Sequence, residues 1–138
     1  MGVKRIDPQR AKELLDSGKG YIYLDVRMVP EFEEGHVPGA ENIPVMVKGP
    51  GGAGIRLNDS FLEAVGNRFD LSAKIILGCN KGGRSQKAAV LLSRAGYTNL
   101  HEMRGGFLGE TDPFGNVTFP GWSSHGLPVS TGEQAGAG

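Results

Sequence analysis

With 138 residues the chain has room for one packed core and not for two domains. Fifteen Lys and Arg offset fifteen Asp and Glu, which excludes both the basic field of a nucleic-acid binder and an acidic tract for a cationic partner. No apolar run approaches the roughly 18 residues of a membrane span, the N-terminal Met-Gly-Val-Lys-Arg-Ile lacks a signal core, and a single cysteine, Cys79, cannot close an internal disulfide, so no membrane partner and a cytoplasmic location are expected.

In chain order, Asp7 and Pro8 supply an N-cap and a first helical residue. Ala11, Leu14 and Leu15 form one apolar stripe and Gly18 ends it, predicting a helix over 8–17. Tyr21 to Val26 is a β-favouring run read as a central strand, followed by a Pro30-led turn of helix closing at Gly35. Ala40 to Pro44 predicts a short strand. Lys48 to Gly54 reads as a flexible surface connection, one place where the 23 glycines collect, a count about twice the average usage of ~7%. Ser60 with Glu63 predicts a capping box opening a helix that carries Phe61, Leu62 and Val65. Lys74 to Leu77 is a strand leading to Cys79. Ala88, Leu91, Leu92 and Ala95 then recur at helical spacing until Gly96, and Thr98 to Met103 is the next strand. The segment Thr111 to Trp122 holds the turn signal Asp112-Pro113-Phe114-Gly115-Asn116 and reads as an inserted hairpin or lid over 111–121. One domain is expected over 1–130, with 131–138 as a small polar tail without order. The alternation predicts an α/β fold with a central, mostly parallel sheet, helices on both faces, and a site beyond the carboxyl ends of the strands. Cys79, Asp25 and Arg27 fall at that edge.

Chemistry concentrates in Gly78-Cys79-Asn80-Lys81-Gly82-Gly83-Arg84-Ser85. A strand hands the sulfur to a loop whose glycines let backbone N–H groups converge, backed by the positive end of the next helix and flanked by Lys81 and Arg84. Each of these favours the thiolate, so Cys79 reads as a nucleophile rather than a buried small apolar residue. Gly82 and Gly83 are expected to be required for close approach or positive φ, or to serve simply as turn residues. Lys81 reads as a point charge drawing an anion to the mouth, or as a solvated surface lysine. His36, in Gly-His-Val-Pro-Gly, is expected to satisfy backbone groups. His101 and His125 stand without ligand spacing, so no metal site is expected, and Phe119 and Trp122 read as packing residues.

Three patches together resemble the single-domain rhodaneses, or sulfurtransferases. They are Tyr23-Leu24-Asp25-Val26-Arg27 with Glu31-Phe32 and Gly35 to Pro44; the loop Cys79 to Ser85; and Gly105-Gly106 with Trp122 and Gly126-Leu127-Pro128-Val129. The likeness covers residues 3–130 and is nearest to the plant-type, senescence-associated subgroup and its bacterial counterparts. It departs between Gly106 and Trp122, where family members pass more directly from the glycine pair to the tryptophan. Related phosphatases place one residue more between cysteine and arginine to surround a phosphate. Asn80, Lys81, Gly82 and Gly83 make the shorter, sulfur-sized loop.

The resemblance implies a rhodanese-like fold and double displacement through a Cys79 persulfide, with no metal or organic cofactor. Asn80, Lys81, Gly82, Gly83, Arg84 and Ser85 would bind the donor, and Asp25, Arg27 and Glu31 would support the loop. Arg84 would buttress it by pairing with Asp25 or Glu31, or would contact donor oxygens. The implied donor is a small sulfur anion such as thiosulfate, or a persulfide, and the acceptor a thiol, cyanide or a protein. The alternatives are a persulfide carrier or interaction module serving a partner protein, and a redox sensor, which this chain's lack of a resolving cysteine disfavours.

Overall fold

The computed structural model describes residues 3–133. Five parallel strands form the central sheet in the order β1 (Lys4–Ile6), β7 (Leu100–Met103), β6 (Ile75–Gly78), β2 (Ile22–Asp25), β3 (Glu41–Asn42). Register pairs Ile22 with Ile75 and Ile75 with Leu100, so the two most apolar strands lie side by side at the centre. Strand period two then sorts their side chains to opposite faces. Leu24, Ile75, Leu77 and Leu100 pack on one face beneath α3 (Phe61–Arg68) and α4 (Gly83–Arg94). Tyr23, Ile76 and Met103 pack on the other beneath α1 (Pro8–Asp16) and α2 (Val29–Glu34), with Trp122 closing that core. Cys79 continues the Ile75, Leu77 alternation and therefore arrives on the α3/α4 face.

The helices start and stop for local reasons. Asp7 caps α1 by accepting from Arg10 N–H at 2.7 Å, with Pro8 at the first position. The expected capping box at Ser60 and Glu63 does not form: the Ser60 side chain makes no cap bond, and Asn58 instead accepts from the Ser60 N–H. Helix α4 buries Ser85, Ala88, Ala89 and Leu92, the i, i+3, i+4, i+7 stripe of a helix lying on a sheet.

The glycine-rich stretch after Lys48 is not a loose connection. It is the turn of an antiparallel ribbon, β4 (Met46–Lys48) against β5 (Ile55–Leu57), whose Gly49 N–H donates to Gly54 O at 3.0 Å. A second ribbon, β8 (Gly109–Thr111) against β9 (Val117–Pro120), holds the turn signal and begins two residues before the expected start at 111. Its tip is closed by Asp112, which accepts from the Phe114 and Asn116 N–H groups. At the C-terminal end Gly132 N–H donates to Glu33 O, and the expectation of a tail without order lies, for 134–138, outside the described residues. No helix among the described residues is long and apolar enough to cross a membrane.

Candidate active site

Strand β6 ends at Gly78 and places Cys79 where β2, β7 and the start of α4 meet. The thiol is buried, with 2% of the residue exposed. Helix α4 begins without a capping side chain, because its N-cap is Gly82. The sulfur takes that part: Cys79 Sγ accepts from Ser85 N–H at 3.4 Å, the third-position donor that an N-cap oxygen would otherwise engage, and from the N–H of Gly82 itself at 3.1 Å. Gly82 has φ +127°, a region L side chains rarely adopt, and this is where the loop turns into α4. Of the two readings of Gly83, the one that requires glycine finds no support in the backbone. Gly83 is helical, has no positive φ, and a Cβ built on it meets nothing within 4 Å, so neither conformation nor space demands glycine there.

The loop rests on the glycine pair that follows β7. Phe107 N–H donates to Cys79 O at 2.6 Å, and Leu108 and Gly109 N–H donate to Asn80 O at 2.9 and 3.1 Å. Gly106, at φ +58°, passes so close beneath that a Cβ would overlap Cys79 O and the Asn80 carbonyl.

Around this loop runs a connected set of charged and amide groups. Asp25 accepts from Arg27 N–H and from both Nε and Nη2 of its guanidinium, the Nη2 bond being 2.6 Å. Nη2 of Arg27 also donates to Gly35 O at 2.7 Å, and Nη1 donates to Asn80 Oδ1 at 2.9 Å. Asn80 Nδ2 donates to Glu31 Oε2, and Glu31 receives Arg84 in a two-bond fork at 2.6 and 2.8 Å. Of the two carboxylates expected for Arg84, the partner is therefore Glu31, because Asp25 is occupied by Arg27. The Arg84 hydrogen bond holds the Glu31 carboxyl below its ordinary range despite partial burial, and the same bond raises Arg84. Glu31 also accepts from Met28 N–H, which ties the start of α2 to the loop.

The predicted residues thus divide into three groups. The backbone of Gly82 and Ser85 faces the sulfur. The side chains of Asn80, Arg84, Asp25, Arg27 and Glu31 form the brace. Lys81 stands exposed at the rim, its Nζ donating to Thr111 Oγ1 at 3.1 Å, so the second ribbon touches the loop. Beside the brace lies a small cavity of about 200 Å3 bounded by Arg27, Glu31, Glu34, Asn80, Phe107 and Leu108. Glu102, which the sequence reading passed over, sits buried on β7 within 2.8 Å of Ser85 Oγ. An acidic residue at the carboxyl end of a buried strand was its available signal. His36 does satisfy the backbone, bonding Phe32 O through Nδ1 at 2.7 Å while its ring stacks on Phe32. Among the described residues no three His, Cys, Asp or Glu side chains form a metal-binding group.

Residues 7–109 match the model of the rhodanese-like domain family. The chain is 40% identical over 110 residues to Thiosulfate sulfurtransferase 16, chloroplastic, of Arabidopsis thaliana, covering 80% of each chain. It is 37% identical over 134 residues to Thiosulfate sulfurtransferase 18 of the same plant, covering 96% of this chain and 87% of the relative. The crystal structure of Rv0390 from M. tuberculosis superposes with a TM-score of 0.72 at 31% identity, over 94% of this chain and 98% of that one.

Proposed function

Because the chain belongs to the rhodanese-like domain family, we propose that it is a sulfurtransferase which moves sulfane sulfur from thiosulfate, or from a persulfide donor, to a thiophilic acceptor through Cys79. The observation that carries this reading is the pair of N–H donors, from Gly82 and Ser85, converging on Cys79 Sγ at the start of α4. The Cys79 thiolate attacks the outer sulfur of thiosulfate, the S–S bond breaks, and its electron pair leaves with sulfite. Cys79 is left as a persulfide anion. Loop N–H groups that hold the thiolate also favour that anion, as an oxyanion hole favours oxygen. Cyanide or a thiolate then attacks the outer sulfur and returns Cys79 to its starting state.

In this reading Lys81 draws the doubly negative donor, the Asp25, Arg27, Asn80, Glu31 and Arg84 brace keeps the loop in shape, and residues 1–130 act as one domain. The cytoplasm is the proposed compartment, since a free nucleophilic thiol persists best where thiols stay reduced. Imaging of a tagged chain tests this compartment against those in the names of the chloroplastic and mitochondrial relatives.

Incubation with thiosulfate should add about 32 Da at Cys79, removed by cyanide or a reducing thiol. Cys79→Ser should lose both the adduct and turnover while keeping its fold. Sulfur transfer that survives in Cys79→Ser would overturn the proposal. A persulfide that forms readily yet turns over only with a protein partner would instead favour the carrier role.

A further inference from the structure

A hydrogen-bond chain leads from the nucleophile into the interior. Cys79 Sγ lies 3.5 Å from Ser85 Oγ, and Ser85 Oγ lies 2.8 Å from Glu102 Oε2 and 3.0 Å from Gly82 O. Ser85 and Glu102 are both buried. The other carboxylate oxygen, Glu102 Oε1, accepts from Arg5 Nε at 2.8 Å, at the edge of a groove of about 600 Å3 between β1 and α4. A serine hydroxyl has one hydrogen and here three acceptors: sulfur, a peptide carbonyl and a carboxylate. The charged acceptor, which is also the shortest contact, takes it. The hydroxyl oxygen then turns its lone pairs toward Sγ, an arrangement that suits a thiol donating its hydrogen and opposes a thiolate.

Other charged or titratable groups around Cys79 are already engaged. Asp25 and Arg27 pair at the end of β2, Glu31 from α2 pairs with Arg84 from α4, and Lys81 bonds Thr111. Tyr23 of β2 is buried, which keeps its phenol protonated. Glu102, with Arg5 behind it, is therefore the charged group that acts on Cys79 through a single intervening hydroxyl.

We propose that Glu102 is a positioning residue that restrains Cys79: it holds the Ser85 hydroxyl hydrogen away from the sulfur and so keeps the resting thiol from ionising freely. Arg5, whose Nε–H can only donate, occupies Oε1 of Glu102 and leaves Oε2 to accept from Ser85. The inference rests on Cys79 being the nucleophile.

The test is the pH dependence of iodoacetamide alkylation of Cys79, which reads the thiolate without any sulfur donor. In Glu102→Gln, Arg5 retains the amide oxygen and the amide N–H turns to Ser85 Oγ, so the hydroxyl hydrogen passes to the one charged acceptor left, the Cys79 thiolate, in preference to the neutral Gly82 O. The thiolate gains one donor and loses one nearby negative charge, so its population below the midpoint should rise roughly three- to tenfold. The alkylation midpoint should accordingly fall by about half to one pH unit. A folded Glu102→Gln with an unchanged or higher midpoint overturns the proposal. Ser85→Ala supplies an independent arm should Glu102→Gln fail to fold. It removes an oxygen that gives sulfur no hydrogen, so its midpoint should stay or fall, and a rise would mean that Ser85 had been donating to the thiolate and would also overturn the proposal. Placing Glu102→Gln on the Ser85→Ala background should give a smaller shift than on wild type; an equal shift would show that the hydroxyl plays no part. If wild type forms no persulfide from thiosulfate while these shifts appear, the sulfur-transfer reading falls and the restraint stands.

Discussion

Two arginine–carboxylate pairs brace the Cys79 loop, and they differ in how far water reaches them. Asp25 and Arg27 form the floor, with side chains only 2% and 3% exposed. Glu31 and Arg84 form the rim, with side chains 30% and 26% exposed. Each Arg makes a fork on its carboxylate. On the floor, however, Arg27 also binds Gly35 O and Asn80 Oδ1, so one guanidinium joins the end of β2, the end of α2 and the active loop. On the rim, the Arg84 side chain hydrogen-bonds Glu31 alone among the described residues. A desolvated pair with every arm engaged becomes expensive when one partner is removed, whereas a solvated pair is screened. The floor should therefore govern whether the loop exists, and the rim how well it is held for chemistry.

The sharpest way to break this comparison is Arg27→Ala. It leaves Asp25 buried without its cation and strips donors from Gly35 O and Asn80, so the expected loss is about 3–5 kcal/mol, measured by urea unfolding. A loss near that of an ordinary surface substitution would remove the distinction. Arg84→Ala is the matched rim experiment. After discounting for solvent screening its stability cost should be about 1 kcal/mol or less. Sulfur transfer should fall further than stability does, on the order of tenfold in kcat/KM, because Glu31 loses the contact that sets the loop's position.

Acid sharpens the same contrast. The folded Glu31 carboxyl lies below its ordinary value of 4.5, chiefly through the Arg84 hydrogen bond. A lowered carboxylate adds stability that is fully present above the unfolded value and is lost as the pH falls through the folded one. Wild type should thus lose part of its stability on titration below pH 4.5, and Glu31→Gln should show a shallower decline over the same range. Parallel curves would mean that the rim contributes nothing to the acid response.

Much of this arrangement is legible from residue order, and the exceptions have physical causes. Tyr21 to Val26 and Lys74 to Leu77 announce themselves because central parallel strands, covered on both faces, must be apolar along their length. The Cys79 loop is legible for a similar reason, since an anion site built from backbone leaves its glycines and cations in sequence. The ribbon β4–β5 is not, because its second strand, Ile55 to Leu57, is exposed at every position and has no buried face to impose alternation. At Ser60 the capping template is matched but two residues upstream Asn58 competes, its side chain accepting from Ser60 N–H while its carbonyl accepts from Phe61 N–H. That competition is settled by backbone geometry, which local composition does not encode. Choosing Glu31 over Asp25 for Arg84 is likewise a question of reach: Arg27 lies two residues from Asp25 and folds back on it. Glu102 escapes notice because its partners, Ser85 and Arg5, are brought to it only by the order β1-β7-β6.

The smallest effect belongs to Lys81, outside both pairs. Its Nζ is exposed and bonds Thr111 Oγ1, so Lys81→Ala should leave stability within about 0.5 kcal/mol of wild type. What it removes is one positive charge near the path of a doubly negative donor. KM for thiosulfate should rise a few-fold with little change in kcat, the pattern of lost capture rather than lost chemistry. Because the charge acts through solvent, added salt should raise the wild-type KM toward that of the variant, with the gap closing as the screening length falls from about 10 Å at 0.1 M to about 3 Å at 1 M. Thr111→Val separates charge from tether. It frees Lys81 from the ribbon while keeping the ammonium, so a charge role predicts a KM close to wild type. If Thr111→Val raises KM as much as Lys81→Ala does, the lysine works by holding the ribbon against the loop, and the rim extends to β8 rather than ending at Arg84.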